Sequence, residues 1–155
     1  MGRNEEDKMK KQPMIGIPGI DEQHVEFLKL LDELQNHLGK ENPSYKFVQT
    51  ALQKIMENLK VHLATEENLM EMIGFSGKEE HKIQHEKLSK QISDAAETLK
   101  KTKNPNIIDK IRSIREADVE HVALYDVEYT AHIGNLMDLT DKYNITSVRA
   151  QILTK

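Results

Sequence analysis

The 155-residue chain contains no cysteine. That excludes a disulfide framework, an iron–sulfur cluster, a thiolate zinc site and a covalently attached c-type haem. It also fits a reducing compartment. Only 7 glycines and 4 prolines interrupt the chain, and 31% of it is charged, a composition that suits helices. No apolar run approaches the ~18–20 residues that span a bilayer. Basic stretches interleaved with aromatics are also missing and the net charge is −4, so nucleic acid is not an expected partner. The opening MGRNEEDKMKKQ lacks the apolar centre of a signal peptide. We read residues 1–14 as a mobile polar tail and expect a cytoplasmic protein. The length suggests one domain able to bury a real core.

What is present is helical periodicity. Four segments carry apolar residues at alternating steps of three and four. The first stripe is Ile20, His24, Phe27, Leu31, Leu34 and Leu38, with Gly39 where a capping glycine belongs. The second runs Val48, Leu52, Ile55, Leu59, His62, Glu66, Leu69 and Ile73, starting near Pro43–Ser44 and broken by GFSG at 74–77. The third is His81, His85, Leu88, Ile92, Ala95 and Leu99, ended by Lys103–Asn104–Pro105. The fourth is Ile107, Ile111, Ile114, Asp118, His121 and Tyr125. Short connections predict an all-α, antiparallel up-down-up-down four-helix bundle over residues 15–126. Residues 127–155 read as a C-terminal helical extension, either a longer fourth helix or a fifth element after Gly134–Asn135. That extension is a candidate surface for a partner protein or for self-association.

Histidines and carboxylates stand on these apolar stripes. Burying an unpaired polar group costs several kcal/mol. One core histidine is ordinarily a hydrogen-bonded structural residue. Five of them on four helices (His24, His62, His81, His85 and His121) each need a separate partner, unless one metal centre serves all. Residues four apart share a helix face, so His62/Glu66 and His81/His85 can each address a common point. His24 and His121 add one ligand each. Asp126, five residues after His121, sits at a less favourable angle but within reach. Seven donors are too many for one zinc ion and suit two metals bridged by carboxylates. Imidazole with carboxylate suits iron, and manganese or zinc less well. There is no Glu-x-x-His motif of the ferritin-like kind. His37, His132, Asp138 and Asp141 read as solvated or packing residues, and Met56 and Met70 as core filler.

The segments GIPGIDEQH (16–24), HLATEENLM (62–70), HKIQH (81–85) and HVALYD (121–126) resemble, in order, the ligand motifs of the hemerythrin family, in particular its bacterial members. The resemblance implies two iron ions, cycling between Fe2+ and Fe3+, with a bridging oxo or hydroxo group. His81, His85 and His121 would hold one ion, His24 and His62 the other, and Glu66 and Asp126 would bridge. It further implies an oxygen-binding protein for oxygen transport, storage or sensing, with dioxygen as ligand and no enzymatic activity. Phe27, Leu63, Ala117, Asp118 and Val122 would line the oxygen pocket.

The sequence departs from the family pattern in places. Met9 stands where a tryptophan is usual, Leu63 follows His62 in place of phenylalanine, and Phe75–Ser76 replaces a tyrosine–proline turn. Ala117 and Asp118 replace a large apolar pair before His121. A wetter pocket and faster autoxidation are expected from that exchange. It also keeps an alternative open, a di-iron enzyme or redox sensor with peroxidase-like, nitric oxide or iron-oxidising chemistry. A plain structural bundle is the third reading, and it leaves five core histidines unexplained.

Overall fold

The fold is all-helical in a computed structural model that describes residues 14–143. Helix α1 spans Pro18–Leu38, α2 Tyr45–Met72, α3 Lys78–Thr102 and α4 Ile108–His121. A π-helical turn, Val122–Asp126, follows α4 directly and passes without a break into α5, Val127–Tyr143. The last three pieces form one long rod. Each rod packs on its neighbours in sequence, and α1 closes the ring against α4. With short connections between them, the rods alternate in direction. This is the expected four-helix bundle, and its fourth rod runs on through Gly134–Asn135 as the longer helix. Most of the expected N-terminal tail lies outside the described residues, as does the extension beyond Tyr143.

Local chemistry fixes the helix ends. Pro18 occupies the first turn of α1, where its missing N–H costs nothing. The Ser44 hydroxyl caps α2 by accepting from the Phe47 N–H at 3.3 Å. After α2 the chain turns at Gly74 with φ 63, a left-handed conformation that favours glycine. Gly39 does cap α1, but at φ −75. The left-handed cap belongs instead to Lys103 after α3, with φ 55. Ahead of α1, buried Asp21 accepts from the N–H groups of Ile15 (2.8 Å) and Gly16 (3.0 Å), tying the entering strap down.

Two apolar clusters fill the interior. The larger runs from Phe27 and Leu63 to Leu38, Leu99 and Ile107. The smaller, at the other end, gathers Ile17, Ile20, Leu69, Met70, Val122 and Tyr129. Each fully buried aliphatic side chain contributes about 1.5–3 kcal/mol by leaving water. Between the clusters lies a polar layer.

Candidate metal centre

Every helix sends its polar stripe residues into that layer. α1 supplies His24, α2 His62 and Glu66, α3 His81 and His85, and the fourth rod His121 and Asp126. All seven are buried, between 0 and 7% exposed. Two groups with mutually close donor atoms result: Glu66, His81, His85, His121 and Asp126, and then His24, His62 and Glu66.

The π turn is what brings Asp126 in. On a regular α-helix, a residue five further on points about 140° away. A π turn is wider, closed by hydrogen bonds between residues five apart, so positions five apart come much closer to one face. Asp126 Oδ1 therefore lies 3.1 Å from His121 Nε2 on the same face. The angular mismatch expected from the spacing is absorbed by the backbone. Tyr125, four residues after His121, moves off the core stripe and is only half-buried.

Both carboxylates divide their oxygens between two sets of histidines. Glu66 Oε1 faces His24 (3.2 Å) and His62 (3.4 Å), while Oε2 faces His81 (3.5 Å) and His85 (2.9 Å). Asp126 Oδ1 faces His81 (3.0 Å) and His121 (3.1 Å), while Oδ2 faces His24 (3.2 Å). The layer thus splits into a three-imidazole side and a two-imidazole side, with both carboxylates straddling the divide.

An outer set of groups orients these side chains. His62 Nδ1 donates to Gln23 Oε1 at 3.0 Å. The Gln23 amide nitrogen is engaged by Thr65 Oγ1 at 3.2 Å, which fixes the oxygen toward His62. His85 Nδ1 donates to Glu67 Oε1 at 3.1 Å. Each of these histidines so keeps its proton outside and turns Nε2 inward, as metal-bound histidines do. The buried Tyr129 hydroxyl donates to Glu66 Oε1 at 3.0 Å. None of Gln23, Glu67 or Tyr129 stood out in the sequence. Gln23 and Glu67 fall inside the segments GIPGIDEQH and HLATEENLM, beside His24 and Glu66, and Tyr129 lies one turn after Asp126.

Electrostatics describe the layer without a metal. Burial opposes charge on His24, but the Asp126 and Glu66 carboxylates beside it override this and hold its pKa up at about 10. The same balance holds His81 at about 9. Burial pushes His62 down to about 4, so it stays neutral. Burial alone would raise Glu66, yet the imidazoles of His62, His24, His81 and His85 packed against it hold it well below the carboxylate range. Burial and the Glu66 charge act upward on Asp126, and the imidazoles of His121, His24 and His81 set close against it bring it down. Burial, reinforced by Glu66, keeps the proton on Tyr129. Two protonated imidazoles therefore face two carboxylates.

The donor set fits metal ions on its own chemistry. His81 Nε2, His121 Nε2 and both Asp126 oxygens are buried with no hydrogen bond, despite close neighbours. Neutral His62 points an acceptor nitrogen at an acceptor oxygen of Glu66. Opposed lone pairs in a buried site call for a cation between them.

The remaining candidates fall elsewhere. Phe27 and Leu63 belong to the larger apolar cluster, with half-buried Ala117 packed against it, whereas Val122 belongs to the smaller one. Four of the five residues expected to line the pocket thus flank the layer from both sides. Asp118 is 2% exposed and stands outside both donor groups. His132 Nε2 bonds the Ile73 carbonyl at 2.9 Å and ties α5 to the end of α2, a packing role. His37 accepts the Ser44 N–H at 2.9 Å and stacks on Phe47, bracing the first loop.

The chain is similar to known proteins. The bacteriohemerythrin of Aquifex aeolicus (strain VF5) is 27% identical over 129 residues, covering 81% of this chain and 95% of that protein. No solved structure matches. The family model for the hemerythrin HHE cation binding domain matches residues 16–133, a stretch that includes all seven side chains of the layer. On that match the chain belongs to the hemerythrin family.

Proposed function

We propose that this chain binds two iron ions in its polar layer and takes up dioxygen there, as a carrier, store or sensor. His81, His85 and His121 hold one ion and His24 and His62 the other. Glu66 and Asp126, each shared between the two sets of imidazoles, would serve both ions. The observation that carries this reading is the division of both carboxylates between the three-imidazole and two-imidazole sides. When bound, the iron pair supplies the electrons for reversible oxygen binding. The chain supplies the rest. Gln23 and Glu67 fix the tautomers of His62 and His85, and Tyr129 holds Glu66 in place through a proton it does not release. The side with fewer imidazoles, at His24 and His62, is where a small ligand would complete the donor set. Phe27 and Leu63, buried next to that side in sequence, exclude water from it.

Iron quantitation combined with optical spectroscopy tests the proposal. Anaerobically reduced protein should carry about two irons per chain and gain a visible absorption on aeration that disappears when oxygen is removed. Protein without iron would overturn it. Irreversible oxidation without that absorption would favour the second reading, a di-iron enzyme or redox sensor. A solvent cleft beside His121 speaks for that alternative.

A further inference from the structure

Between α3 and the fourth rod the surface opens into a cleft of about 230 Å³. Its floor is Leu88 and His121, both buried, and half-buried Ala117 and Tyr125 form its sides. Lys87 and Glu120 stand exposed at the rim. His121 is also the most exposed of the seven layer residues, at 7% against 2% or less for the others. At this cleft solvent reaches the edge of the layer.

Sequence and helix geometry explain the opening. Helical side chains lean toward the N-terminus of their helix, so the His121 ring leans over position 117, one turn back. Alanine there leaves the ring edge uncovered. Tyr125 leans back in turn and stacks on His121, with ring centroids 5.4 Å apart and planes 24° apart. One flank of the imidazole is therefore covered and another is open. The rim offers an ammonium, a carboxylate and the amides of Gln84 and Gln91, donors and acceptors of both signs. Such a lining selects small hydrogen-bonding solutes over an apolar gas.

We propose that this cleft is a port through which small hydrogen-bonding solutes, of the size of hydrogen peroxide or an ene-diol reductant, reach the layer at His121, with Ala117 setting its width. The port is thus distinct from the apolar side at His24 and His62. Its meaning for iron rests on the reading in the preceding subsection, whereas access to His121 does not.

Carbethoxylation by diethyl pyrocarbonate, read by mass spectrometry on the metal-free full chain, measures that access. Ala117→Leu should slow modification of His121 about tenfold, since reaction then waits on local opening. Leu124→Ala should speed it, because Leu124 stands at the rim and is 53% exposed. His37 and His132, half-buried and outside the cleft, should react alike in all three proteins and so report an intact fold. Equal His121 rates in all three proteins overturn the port. If Ala117→Leu perturbs the control histidines, Leu124→Ala alone decides. In metal-loaded protein, transfer to a small chelator should follow the same order, and release that ignores the order overturns the port as a route to the layer. Failure of all three proteins to bind metal would sink the iron reading while leaving the carbethoxylation order to stand or fall by itself.

Discussion

His85 and Ile92 lie on one face of α3, about two turns apart, and both are buried. Around Ile92 the inward positions are aliphatic, with Leu34, Leu52 and Ile111 as neighbours in one cluster. Around His85 they are imidazoles and carboxylates. The aliphatic part gains free energy by leaving water. The polar layer loses hydration and recovers it only through pairing. One length of each helix therefore holds the fold together unaided. The other is kept folded by its neighbours and holds lone pairs that only a cation can share.

Substitutions on the two sides should separate these roles. Glu66→Ala strikes the layer hardest, since four imidazoles face this one carboxylate. It should cost about 3–5 kcal/mol in metal-free protein, and loading with iron should no longer raise the melting temperature. Glu66→Gln, which keeps the shape, should fold better and still fail to hold the metal pair. Normal metal content in either variant would break the comparison. Ile92→Ala should cost about 2–5 kcal/mol by denaturant unfolding, equally with and without metal, and leave metal content unchanged. A loss of metal there would mean that the two regions are not independent.

The same contrast explains what was legible in the sequence. The stripes from Ile20 to Leu38 and from Val48 to Ile73 are buried throughout, because helical period alone dictates which face turns inward. Histidines on those stripes marked the layer for the same reason. Tyr125 was placed on the core stripe by that period, and the π turn moved the inward position one residue on, to Asp126. The five-residue step from His121 was the trace of that extra residue. Gln23, Glu67 and Tyr129 act across helices, on His62, His85 and Glu66. Pairing of that kind depends on how rods are rotated against one another, which no single stripe encodes.

Gln23→Ala sharpens the comparison inside the layer itself. Losing the acceptor for His62 Nδ1 frees the ring to turn or change tautomer. Metal affinity should fall about 10–100-fold, measured by competition with a chelator. Stability without metal should change by only about 1 kcal/mol. Unchanged affinity would show that packing alone orients His62.

The smallest effect is a pH dependence confined to metal-free protein. His24 and His81 titrate at about 10 and 9 in the folded chain against an ordinary 6.5. Their stabilisation is complete below 6.5 and is lost as pH rises through 9 and 10, because above 6.5 the folded chain binds protons that the unfolded one releases. His62 has the opposite sign. Its folded pKa of about 4 means that stability falls as pH drops from 6.5 toward 4. The depressed carboxylates Glu66 and Asp126 add a further loss at more acid pH, as they are themselves protonated. Melting temperature should therefore peak near pH 6.5 without metal. Loaded protein has its imidazole lone pairs engaged, so its curve should stay flat where the metal-free curve declines on the alkaline side. Ile92→Ala should shift the metal-free curve down without moving its peak, since no aliphatic residue takes part in the titration. A peak that moves with Ile92→Ala, or an alkaline decline that persists with metal bound, would place the titrating groups outside the layer.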